Sequence, residues 1–300
     1  MTPNPQPVRL KTLLGDYPTT QALRRGELTS PGIAFDFADV PQVASAFKRT
    51  VRNLEFDVSE LAIVTYLMAK AHGKPYVLLP AVVLGRFQHP FIVYNSERGE
   101  LHPGDLKGRR IGIRSYSVTT TMWLRGILAN DHGLDLDSVR WVTFEEAHVA
   151  EFKDPPSVER APAGKEILQM LLDGEVDAAV LGSPTLPDPR LRRLIPDPEK
   201  AAKDWHARNG TIQINHMVTV KESLTKSNPD AVRELYRLLR EAKRRAPAPA
   251  PGALDMTPFG LEENRRNLEV AIDYVYQQRL IPKRYTVDEL FDGVTRTLDS

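Results

Sequence analysis

The densest set of groups able to hold an anion is the stretch RSYSVTTT, Arg114 through Thr121. It falls where a strand pattern ends and a helical one begins. The unpaired amides and dipole of a helix's first turn would therefore gather beside the hydroxyls of Ser115, Ser117, Thr119 and Thr120. Carboxylates bind readily at such ends, and Arg114 could clamp one bidentately, with Tyr116 alongside. The plainer role makes Ser117 a helix N-cap and the threonines helix surface. So many hydroxyls beside an arginine favour the anion site.

Titratable groups elsewhere suggest proton chemistry. Asp16, in the turn GDY after the first strand, sits where ligands approach open parallel sheets, or else caps the next helix. Arg52 and the pair Ser59-Glu60 flank a further helix start, and Glu60, in an apolar setting, could donate a proton or simply face the helix dipole. Of seven histidines, His72 and His132 precede glycines and read as helix C-caps, while His102 and His206 lie in polar contexts. His148, in EEAH, follows a strand end as an active-site residue would. His89, near Arg86, and His216 fall where the chain is expected to cross between lobes. No HExxH spacing, phosphate loop, GxGxxG or GxSxG is present. Nucleotide hydrolysis, dinucleotide redox chemistry and serine hydrolysis fall away. No cofactor is implied, although a dispersed His/carboxylate site for a divalent metal stays open.

The chain has 300 residues, 41% hydrophobic and 26% charged, enough for two ordinary domains with real cores. Forty basic residues against 39 acidic ones leave a net charge of +1, so neither nucleic acid nor a membrane surface is an expected partner. With no cysteine, disulfides and thiolate catalysis are excluded. The start MTPNPQP lacks a basic then apolar leader, and no run of about 18 apolar residues occurs. A cytoplasmic protein is expected. A homo-oligomer is compatible with the sequence but not specified by it.

The elements that must position these groups alternate in type. Residues 8–14, 32–37, 76–84, 139–144, 176–181 and 215–220 read as strands, and 106–113 as a turn feeding a strand. Helical patterns cover 19–26, a segment capped by Asp39, one opened by Asp57 or Ser59, then 117–130 and 167–172. Such alternation implies βαβ units and a largely parallel sheet. Five prolines between 184 and 198 forbid regular structure there. Asn228-Pro229 opens a helix, APAPAPG at 246–252 is a stiff spacer, and Leu261, Leu268, Ile272 and Val275 stripe another helix. The expected division is a discontinuous first lobe, 1–86 plus 217–300, and a second lobe, 87–216.

Two stretches, DLKGRRIGI and LLDGEVDAAVLG, resemble the type II periplasmic-binding-protein-like fold: α/β, two-lobed, with mixed sheets and an interlobe cleft. RNLEFDVSELAIVTYLMAKAHGK (52–74), TMWLRGIL (121–128), EEAHVAEF (145–152), INHMVTVK (214–221), FGLEENRRNLE (259–269) and YTVDELF (285–291) resemble the 4,5-dihydroxyphthalate decarboxylase family. Ser115-Tyr116-Ser117 departs from the Glu-Tyr-Gln common there, which leaves the exact substrate open. The resemblance implies a carboxy-lyase of aromatic compound catabolism and phthalate degradation. It would act non-oxidatively on a dihydroxylated aromatic dicarboxylate, giving a hydroxybenzoate and CO2. His148 is the first choice for the acid, since imidazole exchanges protons near neutral pH, with His216 and Glu60 assisting. Arg114 and residues 115–120 would anchor one carboxylate, and Arg52, Arg86 or His89 would assist in holding the substrate. The alternatives are a cytosolic binding or sensor protein for a small aromatic or organic acid, or another enzyme on the same fold.

Overall fold

The computed structural model describes residues 6–299. Of the stretch read above for a leader, residues 1–5 lie outside these. In chain order the elements are β1 (Val8–Leu13), α1 (Gln21–Arg24), β2 (Ile33–Phe37), α2 (Phe47–Asn53), β3 (Val58–Ala62), α3 (Ile63–Ala71) and β4 (Tyr76–Gly85). Next come β5 (Ile92–Asn95), β6 (Arg110–Ile113), α4 (Thr119–His132), β7 (Arg140–Thr143), β8 (Glu159–Arg160), α5 (Ile167–Asp173), β9 (Ala178–Val180), β10 (Leu191–Arg193) and α6 (Pro198–Asn209). The chain ends with β11 (Ile214–Lys221), α7 (Glu222–Ser227), α8 (Pro229–Arg245) and α9 (Leu261–Gln277).

These elements form two compact units. One holds the chain through Arg86, Ile214–Ile272 and everything from Lys283 on; the other holds Phe87–Gln213 and Asp273–Pro282. The first unit carries a sheet in the order β2-β1-β3-β11-β4. Its β1 runs parallel to β2 and β3, while β11 pairs antiparallel with β3 and β4. Leu10, Val58, Val77, Leu79 and Val218 from the sheet pack with Val232, Leu235, Tyr236 and Leu239 of α8. That helix starts as its sequence requires: the Asn228 side chain accepts the Ala231 N–H at 3.2 Å and Pro229 opens the first turn, a cap worth about 1 kcal/mol.

The second unit carries a sheet in the order β10-β5-β9-β6-β7-β8. Strands β9, β6, β7 and β8 run parallel, and β5 pairs antiparallel with both β9 and β10. Val93, Val142, Ala179 and Leu191 of its strands bury against Met170 and Leu171 of α5. Both sheets are thus mixed. The reversed strands, β5 in one sheet and β11 in the other, could not be read from alternation alone, because period-2 patterning carries no direction.

Several readings of the sequence change. Glu60 lies inside β3, not at a helix start: residues 58–62 are all buried, paired to β1 and β11, and the helix begins only at Ile63. A continuous apolar run does not separate buried strand from buried helix by periodicity. The helix expected from Asp39 starts later, with a 3-10 turn over Val43–Ala46 after extended Gln42, since Pro41 disfavours helical geometry just before itself. Ser117 does not cap α4; Val118 holds that position and no side chain bonds the first turn. The proline-rich stretch is not structureless. No proline interrupts β10, and Pro198 itself opens α6, where Asp197 accepts the Lys200 N–H at 3.2 Å.

Candidate active site

In the first unit, Glu60 is 0% exposed, on the middle strand of five. An unpaired buried carboxylate costs several kcal/mol, so what surrounds it decides whether it can remain charged. Three donors converge: the Gly15 N–H reaches Oε2 at 2.7 Å, the Tyr17 hydroxyl reaches Oε1 at 2.6 Å, and His216 Nδ1 lies 2.5 Å from Oε1. The strands explain the meeting. On β11, Val218 stands opposite Glu60 and His216 opposite Ala62, so Glu60 and His216 are diagonal neighbours on one sheet face. Parallel β1, registered with β3 at Leu13 and Ser59, delivers Gly15 and Tyr17 just beyond its end. Residue 15 must be glycine, because a Cβ there would lie 2.5 Å from the folded-back Tyr17 ring.

The chemistry of this group follows from its hydrogen-bond directions. An ionised carboxylate only accepts. With Gly15 and Tyr17 donating to Glu60, His216 donates from Nδ1, and Nε2 is the ring atom left to exchange a proton. Burial first, then the neighbouring Glu60 charge, raises the Tyr17 hydroxyl above its ordinary range, so it stays protonated as a donor. Phe47 packs edge-on to the His216 ring at 5.2 Å and limits its rotation. The arrangement can hold imidazole in one tautomer and pass a proton through Nε2.

In the second unit, Ser115, Tyr116, Ser117, Thr119 and Thr120 are all buried at the start of α4. The Ser115 and Ser117 hydroxyl oxygens are 3.5 Å apart, and the buried Thr119 Oγ1 has no hydrogen-bond partner. With no side-chain cap at the helix start, the first turn and the unpartnered Thr119 hydroxyl are the kind of donor group that binds an anion. Arg114, at the end of β6, is 43% exposed, with its guanidinium 3.9 Å from Glu145. At that distance and exposure the ion pair is worth little.

The remaining candidates are scattered. Asp16 is exposed and caps nothing; Thr20 takes the cap position of α1. Arg52 is half-buried in the last turn of α2. Arg86 follows β4, and burial pulls its guanidinium below the ordinary range. His148 is buried in the segment after β7. His89 is buried against Phe87 and Trp205, neither ring nitrogen has a hydrogen-bond partner, and burial pushes its pKa down to about 4. Sequence reasoning missed Tyr17, although the GDY turn signalled it. It also missed Arg125, which looks like ordinary helix surface in the sequence. Among the described residues, no group of three or more His, Cys, Asp or Glu could hold a metal ion, and no helix is long and apolar enough to cross a membrane.

Two mixed α/β units define a periplasmic-binding-protein-like architecture. The Escherichia coli periplasmic aliphatic sulphonate-binding protein SsuA shares it, with a TM-score of 0.61 at 15% identity over 96% of this chain and 97% of that one. No family model matches the chain. Sequence relatives narrow the class. A 4,5-dihydroxyphthalate decarboxylase of Pseudomonas putida is 33% identical over 215 residues, 66% of this chain and 81% of the relative. A second, from Comamonas testosteroni, is 28% identical over 244 residues, 74% of this chain and 71% of the relative. The chain belongs to the 4,5-dihydroxyphthalate decarboxylase family.

Proposed function

We propose that this protein is a non-oxidative decarboxylase of a dihydroxylated aromatic ortho-dicarboxylate, releasing CO2 and a dihydroxybenzoate. The pairing of fully buried Glu60 with part-exposed His216, bonded at 2.5 Å, carries the reading within the family. Loss of CO2 from such a ring needs a proton at the carbon that bears the leaving carboxylate. His216, protonated at Nε2, gives that proton while the ring hydroxyl para to the carbon supplies electrons. The C–C bond then breaks, its electron pair restores aromaticity, and CO2 departs. His216 recovers its proton from solvent. Glu60 stabilises the imidazolium and holds the tautomer, and Tyr17 and Gly15 hold Glu60. Within the second unit, the hydroxyl-rich turn at the start of α4, with Arg114, supplies the donors for holding a carboxylate. The sequence favoured His148 as the acid; the bond to Glu60 supports His216 ahead of it.

The test is direct. Purified protein is incubated with 4,5-dihydroxyphthalate and with phthalates lacking one or both hydroxyls, and CO2 and the monoacid are measured. Turnover that requires a hydroxyl para to a carboxylate supports the proposal. His216→Ala should lower kcat by about 10²–10⁴-fold, and His148→Ala by less. No turnover of any hydroxylated aromatic diacid sinks the enzyme reading and favours a binding protein, the function in the name of the sulphonate-binding neighbour.

A further inference from the structure

Arg125 is fully buried, within the second turn of α4. Burying a guanidinium is expensive unless its donors are used, yet this one spends them on a turn's backbone and on an amide. Nη2 donates to the Tyr116 carbonyl at 2.8 Å, and Nε donates to Gln278 Oε1 at 2.8 Å. The Gln278 amide in turn donates to the Met122 carbonyl at 2.8 Å. The guanidinium carbon stands 3.7 Å above the centre of the Tyr116 ring. Nη1 is buried with no hydrogen-bond partner, and burial pulls the group down to about 10. Asp154 acts on it through charge alone.

We infer that Arg125 is a positioning residue for the anion-holding turn of α4. Resting on the carboxylate-binding role proposed above, it acts in two ways. It pins both the carbonyl and the ring of Tyr116, the residue between Ser115 and Ser117, and so sets where those hydroxyls point. It also leaves a cation without a bonded counter-ion in low dielectric beneath the turn, which raises the local positive potential. Lysine cannot do the first job, because a point charge cannot make the forked bonds and the stacking together.

The test uses phthalate, an ortho-dicarboxylate without hydroxyls, titrated calorimetrically into the full chain, with steady-state kinetics on 4,5-dihydroxyphthalate in parallel. In Arg125→Lys, Kd for phthalate and KM should both rise tenfold or more, with kcat within threefold. A merely structural role predicts a lower binding stoichiometry and lower apparent kcat at wild-type Kd and KM. If Arg125→Lys does not fold, Gln278→Leu leaves the arginine in place but removes its Nε acceptor, and a threefold or larger rise in Kd is expected. Folded variants that bind phthalate as wild type does would overturn the inference alone. Wild-type protein that binds no phthalate would overturn the carboxylate-holding reading itself, and this inference with it.

Discussion

Replacing Glu60 by glutamine keeps the volume of the side chain and removes only its charge and one acceptor oxygen. The carboxylate now takes three donors, from Gly15 at 2.7 Å, Tyr17 at 2.6 Å and His216 at 2.5 Å. An amide has one acceptor oxygen and an NH2 that donates. Whichever way it turns, its NH2 faces at least one of those donors. If the oxygen faces Tyr17 and His216, the Gly15 N–H is orphaned; if it faces Gly15, both Tyr17 and His216 lose their acceptor. A hydrogen bond to a charged group is worth about 1.5–3 kcal/mol, which in a rate is roughly tenfold to a hundredfold or more per bond. The neutral amide also avoids the cost of burying an ion, so the loss in folding stability should be smaller than the loss in rate. Expected for Glu60→Gln is a fall in kcat of about 10²-fold or more, read as CO2 release from 4,5-dihydroxyphthalate, with KM changed little. Combined with His216→Ala, it should add almost nothing, because the two act as one unit. Turnover within threefold of wild type, or effects that multiply fully in the double variant, would refute the paired role.

Two further outcomes follow from buried contacts. His89 is held neutral in the folded state with a pKa near 4, whereas an unfolded chain's histidine titrates near 6.5. The unfolded state therefore binds more protons between those values, and stability present above about pH 6.5 is lost as pH falls toward 4, by on the order of 3 kcal/mol. Urea unfolding at pH 7 and pH 4.5 should show the loss, and His89→Leu should flatten it; an unchanged slope would remove His89 as the cause. Gly126 sits inside α4, where alanine would ordinarily stabilise by up to about 1 kcal/mol. A Cβ there would fall 2.0 Å from Tyr274 Cδ2, on a ring packed against Trp123 at 5.3 Å and bonded to the Trp205 Nε1–H at 3.2 Å. Overpacking, about 1–3 kcal/mol, should win, and a thermal melt of Gly126→Ala above the wild-type midpoint would contradict that.

The sequence by itself determined which segments are strands and helices where patterning was strong: β1, β4, β7, β11 and the capped start of α8 were all legible, as was the family through motifs spread along the chain. It also named Glu60 and His216 as chemically interesting. What it could not supply was their partnership. Residues separated by more than 150 positions meet only because β11 returns antiparallel and slots between β3 and β4; strand direction and neighbour order are not written in a period-2 pattern. The same limit put Glu60 on a helix in the sequence reading, since an apolar run long enough for either element has no periodicity to choose between them. Arg125 is the sharper case. It is buried beside Gln278, 153 positions away, which accepts from its Nε, and a side chain's burial is decided by what packs against it in space, which only the tertiary structure records.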